Sequence, residues 1–121
     1  MQYCTALKAI VNELLSAREA LQFALIFNPL HLGDVPEIER RNQEQGRVLL
    51  GRAENIIRAA SAAAQRPEET ATEQRQRELD FQGLFKQLSR LLNEDLSAPS
   101  FPLQLGLFSS IEQTLKRYGL M

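Results

Sequence analysis

The sequence predicts an all-α protein, an antiparallel four-helix bundle in one domain spanning residues 1–121. Three observations predict it. The chain carries 20 Leu, 6 Ile and 6 Phe, while Val, Ile and Thr together number only 13, a poor supply for sheet. Apolar residues recur at three- and four-residue steps in four segments, the period of an amphipathic helix. Pro and Gly lie mostly at the edges of those segments. Four helices with connections of modest length pack most economically as an antiparallel bundle.

The first helix is expected over about Gln2 to Phe27. Tyr3, Leu7, Ile10, Leu14, Ala17, Leu21 and Ala24 alternate steps of four and three, a narrow coiled-coil seam. Val11, Leu15, Leu25 and Ile26 broaden it, and Lys8, Glu13, Arg18, Glu19 and Gln22 fall largely on the other side. Asn28-Pro29 ends the helix, because a residue before proline is pushed out of the helical region. In the following loop Leu30 and Leu32 are expected to cap the bundle and His31 to face water.

Asp34-Val35-Pro36-Glu37 reads as a helix start, with Asp34 as cap and Pro36 early in the first turn. The second helix is expected over about Pro36 to Arg66. Its polar first third should lie exposed. Gly46 and Gly51 each cost roughly 1 kcal/mol against Ala and mark either close helix contact or a kink. From Arg47 to Ala64 this helix is apolar on more than half its circumference, through Val48, Leu49, Ile56, Ala59, Ala60 and Ala63 with Leu50, Ala53 and Ile57 beside them. That breadth predicts a central helix covered from several sides. Its arginines, from Arg40 to Arg66, alternate with Glu37, Glu39, Glu44 and Glu54, so a solvated, ion-paired face is expected rather than a phosphate site.

Pro67 punctuates the chain, and the polar stretch through Gln76 reads as a loop or a frayed first turn. The third helix is expected over about Arg75 to Glu94, its apolar face formed by Phe81, Leu84, Phe85, Leu88, Leu91 and Leu92, with Leu79 just before it. Pro99 and Pro102 predict an irregular segment from Asp95 to Leu105, whose Phe101, Leu103 and Leu105 either fold onto the core or line a groove. The last helix is expected over about Gly106 to Tyr118, stopped by Gly119.

Formal net charge is −1, which supplies no global basic field for nucleic acid. No apolar run reaches ~18 residues, so no membrane insertion is expected. The N-terminal stretch does not read as a secretion signal. A lone Cys4 forms no internal disulfide and suits a reduced, cytoplasmic setting. The sequence offers no phosphate-binding glycine loop, no nucleophile elbow and no Glu-x-x-His pair for a di-iron centre. Neither catalysis nor a cofactor is expected. A bundle without a catalytic set points to protein binding, either by accepting a partner's segment in an interhelical groove or by pairing with itself through the seam of the first helix. An adaptor that uses the Arg-rich second helix for nucleic acid is the third class, and it predicts strongly salt-dependent binding.

Four stretches resemble the flagellin export chaperones of the FliS type. Leu14-x-x-Ala17-Arg18-Glu19-Ala20-Leu21 is similar to an early long-helix motif of that family, and Leu50-x-Arg52-Ala53-x-x-Ile56-Ile57 to a second. Phe81-x-x-Leu84-Phe85-x-x-Leu88-x-Arg90-x-Leu92 resembles a third, and the closing helix ends in Tyr118 where the family often has Trp. Order and approximate spacing agree over most of the chain. The family's Tyr-Asp-Gly reads Leu7-Lys8-Ala9 here, its usual N-terminal tail has no counterpart, and the connection after the first helix is longer. These departures leave a related client as open as flagellin. The resemblance implies a cytoplasmic chaperone without ATPase activity, whose partner is a client protein with a disordered C-terminal segment held against the bundle. By position it makes Ile56, Ile57, Leu84, Phe85 and Leu88 core or groove residues. With Phe101 and Leu103 from the irregular segment, these are the candidate partner-binding residues; plain core is the competing reading for each of the five. A homodimer is the alternative assembly.

Overall fold

The structure, a computed structural model, describes residues 2–27, 35–91 and 98–121. Four helices make up the fold: α1 Tyr3–Phe27, α2 Val35–Ala63, α3 Ala71–Arg90 and α4 Ser100–Arg117. Each packs on its two ring neighbours, α1 on α2 and α4, and α3 on α2 and α4. Their directions follow from paired residues. Lys8 meets Glu112 and Asn12 meets Gln104, so α4 runs against α1. Asp80 meets Arg117 and Tyr118, while Gln87 and Ser110 line one concavity, so α3 runs against α4. Ser61 meets Arg77 while Glu54 and Phe85 flank one groove, so α2 runs against α3. The result is an antiparallel four-helix bundle with no strand among the described residues.

The seam of α1 is the heart of the core. Leu7, Ile10, Val11, Leu14, Leu15, Ala17 and Leu21 are all buried. Opposite them lie Leu49, Ala53, Ile57, Ala60 and Ala64 of α2 and its end, Phe81, Leu84, Leu88 and Leu91 of α3 and its end, and Leu107, Ile111 and Leu115 of α4. This settles two expectations against the sequence reading. The α1 seam faces inward, so it is no surface for self-pairing. And α2 is not covered from several sides: Val48 is 57% exposed, and Ala59, Ala62 and Ala63 are exposed as well. Small alanines raise the apolar fraction of a helix without compelling its burial, because each removes little area from water.

Helix α2 continues unbroken through Gly46 and Gly51. Gly46 is buried, whereas a Cβ at Gly51 would meet nothing within 4 Å, so no close contact explains that glycine. The polar first third of α2 is exposed as expected. Arg40 pairs with Glu37 at 2.9 Å and Glu44 at 3.7 Å, Arg41 with Glu37 at 3.5 Å, and farther along Arg58 with Glu54 at 2.5 Å.

Helix α3 starts at Ala71, so of the two readings of the polar stretch, loop or first turn, the helical one holds. Thr70 caps it, its Oγ1 accepting the Glu73 backbone N–H at 3.1 Å and donating to the Glu73 carboxylate at 3.2 Å. The Thr-x-x-Glu spacing of a capping box lies in that polar stretch. Helix α4 starts earlier than expected, at Ser100 rather than near Gly106. Pro102 is its third residue, where the missing N–H has no intrahelical acceptor to lose. Leu103, Leu105 and Leu107, which alternate as a short strand would, are therefore helical. At the other end Gly119, with φ 71°, closes α4: its N–H donates to Lys116 O at 3.1 Å and that of Leu120 to Leu115 O at 2.9 Å, with Leu120 packed on the core.

Two arginines are interior. Arg18, expected on the polar side of α1, is 1% exposed. Its guanidinium donates to the carbonyls of Leu91 at 2.6 Å and Ala98 at 3.3 Å, tying α1 to the end of α3 and the approach to α4. A cation at the last carbonyls of a helix is favoured by the helix dipole. Arg77 is 4% exposed and holds the α2–α3 corner. It grips the Glu69 carboxylate with two hydrogen bonds, 2.9 and 3.0 Å, and donates to Ser61 O and Oγ, both at 2.7 Å. The expected caps Leu30 and Leu32, the solvent position of His31, the Asp34 cap, and Leu92 lie outside the described residues.

Candidate functional site

The edges of α2 and α3 enclose a groove of about 250 Å³. On α2 it is bordered by Glu54, Ile57, Arg58 and Ser61, and on α3 by Glu78, Phe81, Gln82 and Phe85. The sequence builds it by spacing. Residues 54, 57, 58 and 61 share one flank of a helix, as do 78, 81, 82 and 85. Ile57 and Phe81 are core residues whose edges form the floor, 5% and 2% exposed. Phe85 is half-buried against the core and forms the wall. The rim is charged: Glu54 and Arg58 pair across one turn of α2, and Glu78 accepts the Gln74 side-chain amide at 3.2 Å on α3.

A second concavity, about 430 Å³, lies between α3 and α4, with Leu91, Leu103, Leu107 and Pro102 supplying its apolar wall and Gln87 and Ser110 its polar edge. Beyond it the outer face of α4 carries Phe101, 67% exposed, and Leu105, 53% exposed, one turn apart. Phe101 also borders a concavity with Asn12, Ser16 and Glu19 of α1.

The seven predicted partner-binding residues are therefore not one cluster. Ile57 and Phe85 meet in the α2–α3 groove. Ile56, one residue round the helix, is half-buried against the core and does not line that groove. Leu84 and Leu88 are 2% and 0% exposed and serve as core. Leu103 belongs to the α3–α4 concavity, and Phe101 stands in solvent on α4. The groove residues that sequence reasoning passed over are Glu54, Arg58, Ser61, Glu78 and Gln82. Their signal was position: Glu54 sits three residues before Ile57, Arg58 and Ser61 four after Glu54 and Ile57, Glu78 three before Phe81 and Gln82 three before Phe85.

The shifted titratable groups pair between neighbouring elements. Hydrogen bonds from Arg77 hold the Glu69 carboxyl below the ordinary carboxylate range, and Glu69 in turn raises Arg77. Tyr118 is pushed up to about 12, first by burial and then by the hydrogen bond its hydroxyl donates to Asp80. Burial works to raise Asp80, but hydrogen bonds from Tyr118, Gln76 and Arg117 together hold it below its usual value. The Tyr118 ring also stacks on Phe81 at 5.4 Å, tilted 32°. Lys8 bonds Glu112 and lies over the Phe108 ring, 5.1 Å from its centre; that hydrogen bond raises Lys8 and lowers Glu112. The Lys8–Glu112 and Asp80–Tyr118 pairs pin α4 to α1 and α3. Among the described residues no group of three or more His, Cys, Asp and Glu side chains is placed to hold a metal, and no helix is long and apolar enough to cross a membrane.

The chain matches no known protein family, no curated protein and no solved structure.

Proposed function

We propose that this protein is a non-enzymatic binding module, a cytoplasmic export chaperone of the flagellar type that holds a disordered C-terminal segment of its client, flagellin or a relative, and prevents premature assembly. The observation that carries the reading is the α2–α3 groove, where Ile57 and Phe85, both within the stretches that resemble the chaperone family, border an open cleft with an apolar floor. Such a cleft suits a segment that is unstructured when free, orders on binding and buries apolar side chains against a preformed surface. The exposed Phe101 on α4 offers a second apolar contact for a chain that wraps the bundle.

Calorimetric titration with the disordered C-terminal segment of a flagellin from the same organism tests the reading. The expected result is one-to-one binding at micromolar affinity or tighter with a negative heat-capacity change. Absence of heat across several temperatures, with the protein folded, removes flagellin as client. A homodimer is the second reading, favoured by the exposed pair Phe101 and Leu105 on α4. It predicts that sedimentation equilibrium finds a dimer at low concentration, and that Phe101→Ser makes it monomeric.

A further inference from the structure

We infer that the occupant of the α2–α3 groove is an amphipathic helical segment of a partner protein that sets a lysine or arginine beside its apolar anchor; the inference rests on the protein-binding reading above. The groove is two helical turns long, from Glu54 to Ser61 on α2 and from Glu78 to Phe85 on α3, which is about 10 Å along the axis. That length fits anchors at i and i+3 or i+4 of a docked helix.

Charge then selects among such helices. Three charged side chains border the groove: Glu54, Arg58 and Glu78. Glu54 and Arg58 are 2.5 Å apart and neutralise each other. Glu78 has its carboxylate bonded to the neutral amide of Gln74. The adjacent Arg77 feels the Glu78 charge but gives its hydrogen bonds to Glu69 and Ser61 inside the corner. The rim is left with one negative charge next to the apolar floor of Ile57 and Phe81. A basic residue on the incoming helix complements it, and an acidic one at that place is repelled. A second copy of this chain does not meet the requirement through its exposed α4 face, because Phe101 and Leu105 lie in Ser100–Ser110, a stretch without Lys or Arg.

Two synthetic 18-residue amphipathic peptides are the probes. They share one leucine face and differ in a single central residue beside it, Lys in one and Glu in the other. Binding is read by fluorescence anisotropy at low and high salt. The native protein is expected to prefer the Lys peptide by about three- to tenfold, with the ratio shrinking as salt rises. Glu78→Gln brings the ratio towards one, and Glu78→Lys inverts it; Glu78 is exposed on its helix, and the near-isosteric Gln variant guards against a folding artefact. Equal affinity of the native protein for both peptides, or a preference unchanged in Glu78→Lys, overturns the inference and leaves the protein-binding reading standing. Binding of neither peptide overturns both. Dimerisation that the peptides fail to displace also overturns it, by making a second copy the occupant.

Discussion

Helix α1 from Leu7 to Leu21 and the first turns of α4, from Phe101 to Leu105, are both rich in large apolar residues and differ in fate. Leu7, Ile10, Val11, Leu14, Leu15, Ala17 and Leu21 are all buried, because steps of three and four keep them in phase along one face. In α4 the second half behaves the same way, with Leu107, Ile111 and Leu115 at 6%, 0% and 0% exposure. The first half does not: Phe101, Leu103 and Leu105 are spread round the helix, and two of them stand in solvent. Phase, not residue type, decides which leucines and phenylalanines hold the fold and which are available to a partner.

The contrast is broken most severely by core truncation. Leu14→Ala is expected to cost about 2–5 kcal/mol in urea unfolding, whereas Phe101→Ser is expected to stay within about 0.5 kcal/mol of the native protein. Equal losses at the two sites would mean that Phe101 is covered in solution. Charged residues in phase with a buried stripe should behave as core. Arg77→Met removes the donor to the Ser61 carbonyl and strands the Glu69 carboxylate; a loss of about 1–3 kcal/mol is expected for the buried groups left unsatisfied. An unchanged unfolding midpoint would show that water replaces the guanidinium without cost.

Smaller effects follow from pH. Glu69 has its folded pKa below the unfolded value, so the stability it contributes is present above that unfolded value, about 4.3. It is lost as pH falls through the lower, folded pKa. Thermal unfolding between about pH 5 and pH 2 should therefore lose less stability in Glu69→Gln than in the native protein; parallel curves would remove the ion pair from the account. Tyr118, pushed up to about 12, has the opposite sign: its contribution is complete below about pH 10 and lost as pH rises through the folded value. Phenolate absorbance, with Tyr118→Phe as the reference, should place its titration near 12. Titration near 10 would mean that the buried end of α4 is as open as its Phe101 end.

Much of this was legible from spacing. The α1 seam, the α3 stripe and the Gly119 stop could be read directly because apolar period and glycine chemistry agree there. Arg18 was misplaced because charge was weighed above phase: it follows Leu7, Val11 and Leu14 at steps that keep it on the buried face. Arg77 likewise extends the line of Phe81, Leu84 and Leu88. The start of α4 was missed because Pro102 reads as a breaker, although a proline in the first turn costs no hydrogen bond. The groove was half visible. Ile57 and Phe85 could be named from the resemblance, but their separation from Leu84 and Leu88 depends on how two helices are rotated against each other, which no single helix's sequence fixes.

Whether the α2–α3 groove holds the client is read by mapping a bound client segment on the protein by amide chemical-shift perturbation. The largest changes are expected over residues 54–61 and 78–85, the two banks of the α2–α3 groove. Perturbations confined to α1 and α4, or none at saturating client, would contradict this placement.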